Sequence, residues 1–348
     1  MDNFDTQITK LKESLGESLL ILGHHYQDDR IIRHVHFSGD SLELARKSAA
    51  SSAKHIVFCG VHFMAESAAI LAKEGQNIYL PEMGAGCVMA NTAPGSLVDA
   101  ALNALSRHGK RIIPLTYVNS SLAVKAVCGR HDGSVCTSAN AEKMLAWAFE
   151  QGDGVLFIPD KNLARNTAKS LGLTPEETML LDVRGGAAAL RENTFAEHAA
   201  KPKLFIWPGC CAIHARFKPE QIKEARSAHP GCTVLVHPEC APEVVALADF
   251  VGSTSAMIKA VEAAPSGRTL VVGTEWHLVN RLTQRHAPHK TVLPLYPSIC
   301  SDMSKITEEK LLLTLQGIAA GVAEPVKVDP TEAAFAGKAL QTMFEACA

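Results

Sequence analysis

The sequence predicts an α/β protein made of three similar small αβα units with parallel sheets, set in a pseudo-threefold triangle with the active site at its centre. Three observations predict it. Short Val-, Ile- and Leu-rich runs such as SLLILGHHY, KHIVFCG, RIIPLTYVN, GVLFIPD, TVLVHPE and TLVVGTE alternate with Ala-rich amphipathic stretches such as SLELARKSAASSA and NAEKMLAWAFEQ. That alternation is the pattern of parallel sheets covered by helices. The polar residues that end the runs recur in one order, and their spacing repeats: His24 to Cys87 and His237 to Cys300 are both 63 positions.

The first unit, residues 1–95, opens with GHHY and closes with EMGAGC at Cys87. The second, 96–217, opens with YVN and closes with WPGCC at Cys211; Asn119 to Cys211 is 92 positions, so this unit is longer. The third, 218–303, opens with HPE and closes with LYPSIC at Cys300. Each unit carries a small-residue turn ahead of a helix (FSGDSLELA, CTSANAEKM, GSTSAMIKA) and a third strand ending in polar residues (CGVHFMAE, IPDKNLAR, GTEWHLVN). The tail, 304–348, reads as helices over 307–315 and 333–347, expected to pack on the first unit beside the N-terminal helix. Ligands collect at the carboxyl ends of strands in such sheets, so three units facing one axis aim their strand ends at one cavity.

The 348 residues are 47% hydrophobic and 20% charged, a composition of a folded chain and not of a disordered one. A formal net charge of -2 predicts no general affinity for nucleic acid or anionic membrane. The first twenty residues are mixed and polar, unlike a signal peptide, and no apolar run reaches the roughly 18 residues needed to span a bilayer. A cytoplasmic protein is expected.

A disulfide framework does not suit ten cysteines in a large chain without an export signal. No CxxC pair and no CxxxCxxC occurs, which disfavours zinc ribbons, thioredoxin-type sites and the radical-enzyme cluster motif. What remains is one cysteine in the closing loop of each unit: Cys87 in MGAGCVMA, Cys211 in PGCCAIH and Cys300 in PSICSDM. Three thiolates from separate loops suit an iron–sulfur cluster with one iron left open to substrate. The rival is a closed zinc site of three cysteines and His214.

The motifs resemble those of the quinolinate synthase family, an iron–sulfur enzyme family of bacterial NAD biosynthesis. GHHYQ is similar to the family's A-H-x-Y-Q. GDSLELA, GVHFMAESAAIL, AGCVMA, YVNSSLAVKA, CTSANA, FIPDKNLA, WPGCCAIH, HPECAPEVV, GSTSAMI, GTEWHLVNRL and the C-x-x-M of ICSDM follow in the family's order. The resemblance implies three α/β domains in a triangle with a [4Fe–4S] cluster at their junction. It implies condensation of iminoaspartate with dihydroxyacetone phosphate to quinolinate, with loss of phosphate and two waters and the open iron as Lewis acid. It also implies a transient contact with the enzyme that supplies iminoaspartate.

Residue by residue, the resemblance places the cluster ligands on Cys87, Cys211 and Cys300. The G-x-C-x-x-H pattern selects Cys211 over Cys210 because His214 then takes the His position. It places substrate-binding positions on His24, Ser41, Tyr117, Asn119, Ser138, His237, Glu239, Ser253 and Thr254, with Tyr26, Glu239, His24 and His237 as the catalytic set. Two departures stand out. Pro297 and Pro294 occupy positions where some members carry extra cysteines, which excludes a regulatory disulfide there, and the segment 128–135, CGRHDGSV, is longer than expected.

These residue types suit the chemistry. Hydroxyls and free backbone N–H groups at the turns of Ser41, Ser138, Ser253 and Thr254 make neutral anion sites for substrates bearing carboxylates and phosphate, although plain N-capping would also place them there. Ring closure needs proton transfer, for which Glu239 and Tyr26 are the candidates. A carboxylate in a dry cavity is expected to have a raised pKa. Tyr117 and Asn119 share one strand face and can orient substrate. His25, His34, His36, His62 and His277 read as structural or surface residues. Glu66, Asp160 and Glu275 either bind substrate or brace the cavity. Two other functions fit less of this pattern: a diphthamide-synthase-like enzyme, and a metal-binding scaffold or sensor without turnover.

Overall fold

The computed structural model describes residues 4–107, 109–192 and 202–348. It contains three parallel sheets flanked by helices. The first comprises β1 (Leu19–His24), β2 (Phe37–Gly39), β3 (His55–Cys59) and β4 (Asn77–Tyr79), in the order β2-β1-β3-β4. The second comprises β5 (Ile112–Tyr117), β6 (Ser134–Cys136), β7 (Gly154–Ile158), β8 (Thr178–Leu180) and β9 (Leu204–Ile206), in the order β6-β5-β7-β9-β8. The third comprises β10 (Thr233–Val236), β11 (Phe250–Val251), β12 (Thr269–Gly273) and β13 (Thr291–Pro294), in the order β11-β10-β12-β13.

With β8 set aside, all three sheets share one order: second strand, first, third, fourth. The extra length of the middle unit is therefore accounted for. The 3-10 turn Pro175–Glu177, β8 and the helix Gly186–Glu192 are inserted before β9, and β8 joins the outer edge beyond β9, away from the cavity side. In each unit the chain leaves the first strand toward a neighbour on one side and returns to pair on the other. That reversal opens a crevice at the carboxyl end of the first strand, where His24, Tyr117 and His237 stand.

Local sequence explains the strands. Every residue of β5 is buried, as a strand covered on both faces requires. In the third sheet, Val234 and Val236 face one core with Phe217 and Val271, while Leu235 faces another with Leu270 and Val272, the two-residue alternation of a pleated strand.

Two features of the packing bear on where the units meet. Met89 and Ala93, just past Cys87, already belong to the core of the second unit, whose first helix begins at Gly95. The tail is divided between units. Its helix Glu308–Ala319 packs on the N-terminal helix Phe4–Leu15. The helix Pro330–Ala346 does not pack chiefly on the first unit but mainly against Leu122–Arg130 and β6 of the second. Its buried Ala336, Ala339, Leu340 and Met343 recur at helical spacing and fit there. The approach is close enough that a Cβ on Gly129 would lie 1.9 Å from the Phe335 carbonyl oxygen. Among the described residues no helix is long and apolar enough to cross a membrane.

Candidate active site at the junction of the three units

The first strands deliver the same device three times: a polar side chain at the strand end and another two residues later. These are His24 and Tyr26, Tyr117 and Asn119, and His237 and Glu239, and all six line one cavity. Cys87, Cys211 and Cys300 line it too; Cys210 does not. No Lys or Arg is among the lining residues.

Of the turns after the second strands, Ser41, Ser138 and Thr254 reach the cavity and Ser253 does not. The Ser253 hydroxyl accepts from the Ala256 amide 3.3 Å away as the cap of helix Thr254–Ala263. Its place is on an adjoining cleft of about 910 Å³ that also touches Asp40, Leu42 and Ser138. Ser41 is not a cap, because Asp40 caps that helix, which leaves the Ser41 hydroxyl free of that duty.

Glu66, Asp160 and Glu275 lie outside the cavity lining. Glu66 accepts the Leu122 amide at 3.2 Å, joining the first two units. Asp160 and Glu275 cap the helices after β7 and β12. Their carboxylates also accept the amides of Cys211, at 2.9 Å, and Cys300, at 3.2 Å. The residues between brace and substrate contact are thus braces. Other polar contacts seal the seams between units: Asn166 Nδ2 donates to the Pro238 and Cys240 carbonyls at 2.7 and 2.9 Å, and Ser255 Oγ donates to Asp40 and Glu43 at 2.9 and 2.8 Å.

Residues 6–345 match the family described as quinolinate synthetase A protein. The chain is 44% identical over 341 residues to a quinolinate synthase of Streptomyces coelicolor, covering 96% of this chain and 86% of that protein. It is 41% identical over 353 residues to a quinolinate synthase of Acidobacterium capsulatum, covering 99% and 93%, and 41% identical over 324 residues to one of Bacillus cereus, covering 92% and 86%. The chain belongs to the quinolinate synthase family. The likeness runs well beyond the quoted motifs, and the diphthamide-synthase-like and scaffold readings give way to it.

In this member of the family, the half-buried Tyr26 and the buried Thr274, His214 and Glu239 lie in a row across the junction. The Tyr26 hydroxyl is 2.7 Å from Thr274 Oγ1, which is 3.2 Å from His214 Nε2. His214 Nδ1 lies 2.7 Å from Glu239 Oε2, and His237 Nδ1 lies 3.3 Å from the same oxygen. Thr254 Oγ1 donates to the Tyr26 hydroxyl at 3.2 Å, and the His214 and His237 rings stack with centroids 4.4 Å apart. In the sequence His214 stands out as a possible zinc ligand and as the His of G-x-C-x-x-H, and Thr274 only by its place in the GTE string at a strand end; the structure brings both to the junction.

The electrostatics depart from expectation at Glu239. Burial alone would raise its pKa, but His214 and His237 outweigh burial and hold the carboxyl well below the usual range. Burial lowers the His24 pKa to about 3, so this ring is neutral. Burial, aided by the Glu239 charge, raises Tyr26 and Tyr117 well above the ordinary phenol value. Burial and then the Glu239 charge raise the Asp160 pKa, opposed by its backbone N–H partners. Glu239 Oε1 and Asn119 Oδ1 are buried without a hydrogen-bond partner among the described residues, and both residues face the cavity. Unpaired buried acceptors cost about 1–3 kcal/mol each, so their place beside a cavity points to a ligand that satisfies them.

Burial pushes the Cys87 thiol up to about 12 and raises Cys211 and Cys300 as well. Without a metal these thiols are protonated and poorly nucleophilic, unlike reactive cysteines. Among the described residues, the group of metal-capable side chains that lies within 4.8 Å is Cys211, His214 and Glu239. Cys87 and Cys300 share the cavity but stand outside that group, so the three cysteines and His214 do not form the tight shell that one zinc ion requires.

Proposed function

We propose that this chain condenses iminoaspartate with dihydroxyacetone phosphate to form quinolinate, releasing phosphate and two waters, in NAD biosynthesis. The observation that carries the reading is that a thiol from each of three units lines the same cavity as the paired polar strand ends. The donor set fits a [4Fe–4S] cluster held by Cys87, Cys211 and Cys300. All three are thiols, they come from separate loops, and they open on one cavity. When bound, the cluster supplies a Lewis-acidic iron without a protein ligand.

The chain's own residues supply binding and proton transfer. Among the described residues no Lys or Arg lines the cavity, so the hydroxyls of Ser41 and Ser138 and the amide of Asn119 hold the substrate carboxylates and phosphate as neutral donors, while Thr254 spends its hydroxyl proton on Tyr26. Tyr117 and neutral His24 complete the wall that orients them. Glu239, kept ionised by its histidines, is the base, and its unpartnered Oε1 is the accepting atom. Tyr26 keeps its proton and is the acid. Thr274 and His214 stand between the two, and a turn of the His214 ring, whose Nδ1 is near Glu239 Oε2 but not hydrogen-bonded to it, completes a path that returns a proton taken at Glu239 to Tyr26. His237 holds Glu239 in place. Ser253 supports the site as a helix cap.

Substrates reach the cavity through the adjoining cleft, whose rim carries Arg46, Lys143 and Lys259 and so attracts anions. The enzyme works in the cytoplasm, where a reducing environment suits a thiolate-held cluster, and receives iminoaspartate through transient contact with the enzyme that makes it. The test is an anaerobic assay for quinolinate from the two substrates, with iron and sulfide quantified in the same sample. About four irons per chain together with product is the expected result. Zinc as the sole metal, or a loaded protein without product, refutes it.

A further inference from the structure

The pseudo-threefold repeat extends to the loops that carry the cysteines. In each unit the first amide of the helix after the third strand donates to the carbonyl two residues before the cysteine. These bonds are His62 N to Ala85 O at 2.7 Å, Lys161 N to Gly209 O at 2.8 Å, and Trp276 N to Ser298 O at 2.9 Å. The residue that caps the helix occupies one equivalent position in all three units, and there the symmetry breaks. It is Val61 in the first unit, Asp160 in the second and Glu275 in the third.

Both acids are fully buried, and each uses its two oxygens for two tasks. Asp160 Oδ1 accepts the Leu163 amide at 2.7 Å while Oδ2 accepts the Cys211 amide at 2.9 Å. Glu275 Oε2 accepts the His277 amide at 2.8 Å while Oε1 accepts the Cys300 amide at 3.2 Å and also pairs with His277 Nδ1 at 2.9 Å. Val61 offers no acceptor, and among the described residues no hydrogen bond is found for the Cys87 amide. A helix cap needs one acceptor; the second oxygen of Asp160 goes to the Cys211 amide, and that of Glu275 is shared between the Cys300 amide and the His277 ring.

We propose that Asp160 and Glu275 are positioning residues for the cluster, holding the Cys211 and Cys300 loops and turning their amides away from the cluster sulfurs. This rests on the cluster reading above. Hydrogen bonds from ligand amides to cluster sulfurs are one of the terms that set reduction potential. Withdrawing two of these donors lowers the potential and keeps the cluster oxidised, as suits a Lewis acid that transfers no electrons. The Cys87 amide, without a carboxylate to take it, is the one left to the cluster.

The experiment is an anaerobic potentiometric titration of the cluster, followed by electron paramagnetic resonance, in the full chain and in Asp160→Asn, Glu275→Gln and the double variant. Iron release to a chelator and thermal melting are measured on the same samples. Each substitution replaces one acceptor oxygen by an NH₂ donor, so one amide loses its partner. The midpoint potential is expected to rise in each single variant and further in the double. Iron release is expected to quicken by roughly 10- to 100-fold, the usual effect of losing an outer-shell partner. Glu66→Gln, which alters a carboxylate bound to Leu122 and not to a cysteine, is expected to leave the potential unchanged. Should Asp160→Asn fail to fold, Glu275→Gln carries the test. A loaded wild type whose folded variants keep its potential and its iron-release rate overturns this inference alone. A wild type without a cluster overturns the proposed function and this inference with it.

Discussion

Replacing Glu239 by Gln removes one negative charge from a site that is 2% exposed while keeping shape and volume. The charge is held by His214 at 2.7 Å and His237 at 3.3 Å, and the free oxygen Oε1 is what the mechanism uses to accept a proton. Gln accepts no proton, and its NH₂ group faces either a histidine N–H or the substrate. Loss of a positioned acid–base group slows turnover by roughly 10²–10⁴-fold. At about 1.4 kcal/mol per factor of ten, that corresponds to ~3–5.5 kcal/mol on the barrier. The iron content should not change, because Glu239 is not a cluster ligand in this reading. The sign of the pH effect also follows. A carboxyl whose pKa is lowered by folding adds stability above its unfolded value near 4.3, and that stability is lost as pH falls through the folded value. Wild type should therefore lose stability in strong acid through this group, and Glu239→Gln should be flatter there. The assay is anaerobic quinolinate formation at saturating substrates with iron measured in parallel. A fully loaded Glu239→Gln protein working within about threefold of wild type, far short of the range for a lost acid–base group, would refute the reasoning.

Cys211→Ala should abolish iron binding and Cys210→Ala should preserve it, read by iron content per chain; the reverse would assign the ligand to the neighbour. Tyr26→Phe removes a hydroxyl bonded to Thr274 and Thr254. It should slow turnover by at least roughly 10²-fold with the cluster intact, since the relay loses its acid. Gly129→Ala forces a methyl against the Phe335 carbonyl and should destabilise by about 3 kcal/mol or more, seen as a lower denaturant midpoint with release of the C-terminal helix. The His25 ring 3.8 Å away, with the Asp40 amide and the Ser255 hydroxyl, holds the Glu43 pKa down at about 2 despite partial burial. Its contribution is present above the ordinary value near 4.3 and fades as pH falls toward 2, so Glu43→Gln should flatten thermal melting across that acid window.

Some of the site could be read from local sequence because the fold repeats it. Each first strand ends in a polar pair with alternate spacing, and period-two geometry aims both members the same way. Other parts could not be read. Ser253 resembles Ser41 and Ser138 in sequence, yet it lies on the adjoining cleft and not in the cavity lining, which depends on where that helix begins. Glu239 was expected to have a raised pKa from burial, but the two histidines beside it reverse the sign. His214 stands 25 positions from Glu239 and Thr274 stands 60 from His214; nothing in either neighbourhood predicts that they meet.

The sequence by itself determined the class of the fold, the three units and the cysteine of each closing loop. These follow from periodicity, strand-end polarity and spacing, which are local properties of the chain. Only the tertiary structure decided which unit receives the last helix, which hydroxyls face the cavity, and how Tyr26, Thr274, His214 and Glu239 join across three units. Those outcomes depend on how separately folded surfaces pack together. Packing is decided by complementary shape and buried charge between distant segments, which no single stretch of sequence contains.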